Sequence, residues 1–236
     1  MKLGVGKKVH TAAVVVAAGT GKRFGTGYPK QFADLCGKPV LWRTLAVFER
    51  CARVDDIVVV LPPDDFEQHA TLVRSWQFAR ISRYVKGGAA RHFSVLNGLL
   101  SVAPEMEIIL VHDGVRPFVT EQLIDAVIDG AVRYGACIPG VMPKDTIKSV
   151  NGHFVRNTPE RKSLILTQTP QGFQKDILIS AYEKAEEQGR FSTDDASLVE
   201  HSGNDVFVVS GDYGNIKITS PEDLLLAATL LKTKSL

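Results

Sequence analysis

Short apolar runs alternate along the chain with longer stretches of helical periodicity. Ala12–Ala17 (AAVVVA) and Ile57–Leu61 (IVVVL) have the length and β-branched content of strands buried on both faces. Between them Val40–Arg50 repeats its apolar positions at helical spacing, which makes a strand–helix–strand unit and therefore a parallel pair. The same pattern predicts helices over Phe66–Trp76 and Phe93–Ser101 and strands over Arg83–Lys86 and Ile108–His112. A helix over Glu121–Tyr134, with Thr120 placed to cap it, and a strand over Ala136–Val141 close the series.

The alternation then breaks. Residues 144–167 are polar, and Asn151-Gly152 stands between two short alternating runs, a strong hairpin signal. A β-arm projecting from the core is expected here. A two-stranded hairpin is marginally stable in water, so the arm is expected to pack on a second subunit. Helices return at Lys175–Glu187 and Asp194–His201, followed by strands at Val206–Val209 and Ile216–Ile218 and a helix at Pro221–Leu231. The expected fold is a single α/β domain over residues 1–236, a Rossmann-like, mostly parallel twisted sheet flanked by helices with a protruding β-arm.

Charge and composition narrow the function. With 28 basic and 26 acidic residues the net charge is +2, too balanced for a broad nucleic-acid surface, so positive character that matters has to be local. Three widely spaced cysteines, Cys36, Cys51 and Cys137, suggest no disulfide framework and a reducing, cytoplasmic setting. The apolar run Ala12–Ala18 after Lys2, Lys7 and Lys8 superficially resembles a signal peptide, but it is short and leads straight into a glycine loop. No other apolar run has the length of a membrane span.

That loop, Ala17-Ala18-Gly19-Thr20-Gly21-Lys22-Arg23-Phe24, follows the first strand, where open α/β sheets bind ligands. It lacks the Ser or Thr of a Walker loop after Lys22 and the third glycine of a dinucleotide fingerprint. Alone it is either a glycine turn with solvated lysines or a phosphate cradle. The continuation Tyr28-Pro29-Lys30-Gln31-Phe32 adds another cation and a rigid bend. Gly87-Gly88-Ala89-Ala90-Arg91-His92-Phe93-Ser94-Val95 turns into a helix, and Val111-His112-Asp113-Gly114-Val115-Arg116-Pro117 ends a buried strand with an acid and a base. Asp113 could hold Mg²⁺ or a substrate hydroxyl, or pair with Arg116 to hold the loop. No HExxH pair and no nucleophile elbow occurs, so metal-hydrolase and triad chemistry have no support.

Taken in order, these segments resemble the nucleotide-sugar pyrophosphorylase-like nucleotidyltransferases (the nucleotide-diphospho-sugar transferase type), and within them the 2-C-methyl-D-erythritol 4-phosphate cytidylyltransferase family. The resemblance continues through Asp145-Thr146-Ile147-Lys148, Thr158-Pro159-Glu160-Arg161, Gln168-Thr169-Pro170-Gln171-Gly172-Phe173, Thr193-Asp194-Asp195-Ala196-Ser197 and Asn215-Ile216-Lys217-Ile218-Thr219-Ser220-Pro221-Glu222-Asp223-Leu224. Pro159 and Glu160 depart from the family's pattern but leave Arg161 in register.

The resemblance implies transfer of CMP from CTP to a small polyol phosphate, with Mg²⁺ bound mainly through the CTP phosphates. By the same resemblance Arg23, Lys30 and Lys217 serve the α-phosphate. Ala17, Ala18, Gly19, Gly21, Gly87, Gly88, Ser94 and Asp113 serve the nucleotide, Asp113 also serving the metal. Arg116, Thr146, Arg161, Thr169 and Thr193 serve the acceptor, partly across a homodimer formed by the arm. A ribitol-5-phosphate cytidylyltransferase shares these motifs, and a non-catalytic nucleotide sensor or a purely structural dimerisation protein could share the fold.

Overall fold

The computed structural model describes residues 9–19, 29–190 and 192–234. Strands β1 (Thr11–Val16), β4 (Asp56–Leu61), β5 (Ile81–Lys86), β6 (Ile108–Asp113), β7 (Ala136–Val141) and β12 (Phe207–Ser210) share one direction. Strand β11 (Gln171–Gln174) runs against them between β6 and β7, and β10 (Leu166–Thr167) runs against β7. The spatial order is β12-β7-β11-β6-β1-β4-β5. Both β10 and β11 lie on the side of β7 opposite β12, because β12 pairs with Cys137 and with Gly140, which they also pair. The mostly parallel sheet agrees with the sequence pattern. The reversed strands β10 and β11 do not follow from it, since Leu166–Gln174 has neither an apolar run nor a clean alternation.

Six consecutive buried residues in β4 and in β6 reflect a sheet covered on both faces, which is why these strands are unbroken apolar runs. On one face α1 (Val40–Arg50), α2 (Phe66–Arg74) and α4 (Glu121–Tyr134) pack on Ala13, Val15, Ile57 and Val59. On the other, α3 (Arg91–Leu100), α5 (Lys175–Glu187) and α6 (Asp195–His201) pack on Ala12, Val14, Val58 and Val60. The last helix, α7 (Pro221–Lys234), joins Leu35 and Val40 in a smaller cluster beside a short hairpin, β2 (Asp34–Leu35) and β3 (Lys38–Pro39), which the hydrophobic pattern does not announce. Thr120 caps α4, its hydroxyl accepting from the Leu123 N–H at 3.2 Å, as its position predicts.

Two expectations are corrected. Residues 216–218 form no strand: Ile218 N–H donates to Val115 O at 2.9 Å, but no ladder develops around it. The alternation Ile216-Lys217-Ile218 arises because Ile218 is buried while Lys217 turns to an acid, not from strand pairing. The arm does form a hairpin, β8 (Ser149–Asn151) against β9 (Phe154–Asn157), but Asn151 pairs with Phe154, so Gly152 and His153 make the turn, with Gly152 at φ +58°. Val150, Phe154 and Val155 on the arm are exposed, Phe154 to 82%.

Among the described residues no helix is long and apolar enough to cross a membrane. The three cysteines are free.

Helix α4 approaches β11 closely because Gly172 has no side chain: a Cβ there would lie 2.6 Å from Val127 Cγ1 and 3.3 Å from Val127 O. We expect Gly172→Ala to destabilise the fold by about 1–3 kcal/mol, since the β-branched Val127 side chain, with helix backbone behind it, has little room to yield to the added methyl. Urea denaturation of the two proteins checks this; an unchanged midpoint would contradict the packing account.

Candidate active site

The parallel strands β1, β4, β5 and β6 end along one edge of the sheet, and a cavity of about 410 Å³ opens there. Its position follows from the chain's winding: β4 lies on one side of β1 and β6 on the other, so the connections diverge at that edge. Ala17, Ala18 and Gly19 form one wall, Gly88 to Arg91 another, and Lys30, Asp113 and Lys217 reach it from three further segments.

Glycine is required where the walls meet. A Cβ on Gly87 would lie 2.3 Å from Ala18 Cβ, and one on Gly88 would lie 2.4 Å from Phe93 Cβ. Ser94 stiffens this turn, its hydroxyl accepting from Gly88 N–H and donating to Ala90 O, both at 3.1 Å. Gln31 is buried and donates from Nε2 to the carbonyls of Ala17 (2.6 Å) and Gly19 (3.0 Å).

Asp113 is the electrostatic centre. Its Oδ2 lies 2.8 Å from Lys217 Nζ and 3.3 Å from Arg116 Nε, and Oδ1 lies 3.7 Å from Arg91 Nε. Burial alone would raise its pKa, but Lys217, Arg91 and Arg116 overcome that and hold the carboxyl well below the usual carboxylate range. Arg91 also donates from Nη2 to Asp195 Oδ2 at 2.9 Å, and Asp195 Oδ1 accepts from the Tyr182 hydroxyl at 2.6 Å. Burial would lower the Arg91 pKa, yet Asp195 and Asp113 together keep it raised. Gln171 on β11 holds the start of α6, its Oε1 accepting from the Asp195 and Ala196 N–H groups.

Beneath Asp113 runs a relay of fixed polarity. The Asp113 N–H donates to Thr169 Oγ1, and that hydroxyl meets His112 Nδ1, each at 3.1 Å. His112 Nε2 lies 3.3 Å from Arg116 O, which can only accept, so Nε2 carries the proton and Nδ1 accepts from Thr169. His112 is buried, and burial pushes its pKa down to about 3, keeping the ring neutral.

The residues singled out from sequence thus fall into separate places. Ala17, Ala18, Gly19, Lys30, Gly88, Ser94, Asp113 and Lys217 share the cavity, and Gly87 sits directly behind it. Gly21 and Arg23 lie outside the described residues. Arg116 is committed to Asp113 and to Asn215 O (2.9 Å), and Thr169 is buried below Asp113, so both support the floor. Thr193 is exposed just ahead of Asp194, which caps α6. Thr146 and Arg161 line a second cavity of about 230 Å³ at the base of the arm, with Arg161 Nη2 3.4 Å from Thr146 Oγ1, and that cavity shares no residue with the first. Arg91, Asp195, Tyr182 and Gln31 were not singled out. Arg91, Asp195 and Gln31 lie inside quoted motifs, but only their burial and pairing reveal a role.

Among the described residues no group of three metal-ligating side chains exists, and Asp113 is the one carboxylate lining the cavity. That donor set fits Mg²⁺ carried in on nucleotide phosphates, with Asp113 Oδ1 the oxygen not hydrogen-bonded by Lys217 or Arg116.

The family model described as 2-C-methyl-D-erythritol 4-phosphate cytidylyltransferase matches residues 11–233. The enzyme of that name from Geobacillus kaustophilus is 46% identical over 222 residues, covering 94% of this chain and 97% of the relative. The one from Geotalea uraniireducens is 44% identical, covering 95% and 98%. Among solved structures, 4-diphosphocytidyl-2C-methyl-D-erythritol synthase from Anaerococcus prevotii superposes with a TM-score of 0.85 at 35% identity, covering 95% of this chain and 97% of that one. The Thermus thermophilus 2-C-methyl-D-erythritol 4-phosphate cytidylyltransferase gives 0.75 at 32% identity, covering 93% and 98%.

The neutral state of His112 has a measurable cost in acid. Its folded pKa lies below the unfolded value near 6.5, so the unfolded chain binds the extra proton and stability falls as pH drops from about 6.5 towards 3. Asp113 adds its own loss only below about pH 3.8. Between pH 7 and 4.5 we expect His112→Asn to lose about 2–3 kcal/mol less stability than the wild type. Urea titrations at both pH values measure this, and parallel losses would contradict it.

Proposed function

The chain belongs to the 2-C-methyl-D-erythritol 4-phosphate cytidylyltransferase family, and on that footing we propose how its residues transfer CMP from CTP to 2-C-methyl-D-erythritol 4-phosphate. The products are 4-diphosphocytidyl-2-C-methyl-D-erythritol and pyrophosphate, in the non-mevalonate route to isoprenoids. The observation that carries the assignment of roles is the cavity at the strand ends, where Lys30, Arg91 and Lys217 face one carboxylate, Asp113. An excess of cations on a backbone lined by small residues suits a triphosphate.

The acceptor phosphate is already a nucleophile. One of its oxygens attacks the α-phosphorus of CTP in line, the new P–O bond forms as the bond to the β-phosphate oxygen breaks, and pyrophosphate leaves with that electron pair. No side chain has to be activated. The protein supplies alignment and neutralises the charge on the phosphorus oxygens. Lys30, Lys217 and Arg23 serve the α-phosphate. The backbone around Gly87 and Gly88, together with Ser94, receives the cytosine, while Ala17, Ala18, Gly19 and Gly21 receive the phosphates. Asp113 would hold magnesium carried in with CTP, and the ion would there supply further charge neutralisation for the phosphates.

Thr146 and Arg161 bind the acceptor phosphate from the arm of a second subunit, and Arg116, Thr169 and Thr193 support that side of the site. Two observations support a homodimer: the arm exposes Val150, Phe154 and Val155, and its cavity is separate from the nucleotide cavity of the same chain. The enzyme works in the cytoplasm, consistent with three free cysteines.

Pyrophosphate release from CTP and Mg²⁺, measured with methylerythritol phosphate and ribitol phosphate side by side, tests the reading. Turnover is expected with the first; preference for ribitol phosphate, or release with neither, would overturn it. Two unit charges about 4 Å apart interact by roughly 4 kcal/mol at an effective dielectric near 20. Lys217→Ala and Lys30→Ala should therefore each lower kcat by about 10²–10³-fold, and wild-type turnover in either would remove that residue's role. Arg161→Ala should raise the KM for the acceptor at least about tenfold while leaving that for CTP nearly unchanged. An equal rise in both would refute the division between arm and cavity.

A further inference from the structure

One buried group at the cavity is left without a task by the scheme above. The Gln31 side chain is almost inaccessible to solvent, yet its Nε2 makes two backbone bonds, to Ala17 O at 2.6 Å and to Gly19 O at 3.0 Å. A primary amide has two N–H donors, so each carbonyl receives one. The two carbonyls belong to the segment by which the chain leaves β1, and that segment lines the cavity.

Fixing a carbonyl also fixes an amide. In a planar trans peptide the C=O of one residue and the N–H of the next point in opposite directions. With the Ala17 carbonyl drawn to Gln31, the Ala18 N–H is turned the other way. That N–H has no acceptor among the described residues, whereas its neighbour Ala17 N–H is spent on Val60 O at 2.8 Å. An oriented backbone donor beside lysines is an anion-binding element.

Gln31 also follows Lys30 directly. Both lie in a single helical turn, Lys30–Phe32, whose other anchor is Phe32, buried and stacked on His69 with ring centroids 4.6 Å apart. The turn is thus pinned by Phe32 on one side and joined to the β1 exit by Gln31 on the other. Lys30 has its backbone held by both.

We propose that Gln31 is a positioning residue for the nucleotide: by holding the Ala17 and Gly19 carbonyls it aims the Ala18 N–H and the Lys30 side chain into one cavity as a single rigid anion site. This rests on the cytidylyltransferase reading for the identity of the anion, a nucleoside triphosphate.

Gln31→Met tests it, because methionine keeps the volume and removes both donors; Gln31→Ala is the second variant. CTP affinity is measured at equilibrium by calorimetry without acceptor, and KM for each substrate by pyrophosphate release. The expected result is a rise of about tenfold or more in the Kd for CTP, with the acceptor KM within twofold of wild type. The combined Lys30→Ala, Gln31→Met variant should lose less than the product of the two single losses, since both act on one site. A CTP Kd within twofold of wild type, a parallel rise in acceptor KM, or multiplicative losses would each overturn the proposal.

Should both variants be too unstable to assay, hydrogen exchange of the Ala18 amide in the wild type decides. Slowing on addition of CTP supports the proposal, and no change overturns it. A wild type that binds CTP yet transfers nothing would instead overturn the cytidylyltransferase reading and leave the Gln31 result standing.

Discussion

The site is organised around one buried carboxylate. Asp113 ends a strand that is buried along its whole length, and a charge there is tolerable only because three cations converge on it. Arg116 stands only three residues on, in the loop after β6, but Arg91 comes from the start of α3 and Lys217 from the segment before α7. Desolvation of Asp113 therefore has a structural consequence. It ties the wall formed by Gly88 to Arg91, the floor and the Lys217 segment together, and removing any one partner leaves the others with an imperfectly balanced charge. Asp195 extends the arrangement to α6 through Arg91, so that helix also bears on how the cavity is charged.

Much of this was legible in the sequence because parallel strands buried on both faces have to be apolar runs, and the helices between them have to carry a 3.6-residue stripe. The ends of those strands then located the cavity, and the resemblance to a known family placed Lys30, Asp113 and Lys217 at one site. What escaped the pattern is physically of a different kind. Strands β10 and β11 are short and are held by pairing with β6 and β7 rather than by their own periodicity. Residues 216–218 show the reverse error, since an alternation that looks like a strand comes from one buried isoleucine and one ion-paired lysine.

Polar residues were the least legible. Thr169 and Arg116 sit in motifs that suggest contact with a substrate, and both are spent inside the protein, one on His112 and the Asp113 backbone, the other on Asp113 and Asn215. Gln31, Asp195 and Tyr182 illustrate the converse, being ordinary in sequence yet buried and hydrogen-bonded at the cavity or immediately behind it. Sequence spacing cannot distinguish a hydroxyl that meets a ligand from one that completes an internal relay, because the difference lies in partners many residues away.

The arm leaves the sheet after β7 and re-enters at β10, and the two strands pair with Val141 opposite Leu166. Its two feet therefore stand side by side on one ladder. To the rest of the sheet the intervening segment is a closed loop: residues can be gained or lost within it, or it can tilt as a body, without shifting the register of any strand that supports the cavity at the strand ends. Evolution could in this way remodel the arm on one side of that ladder while the cavity at the strand ends stays fixed on the other.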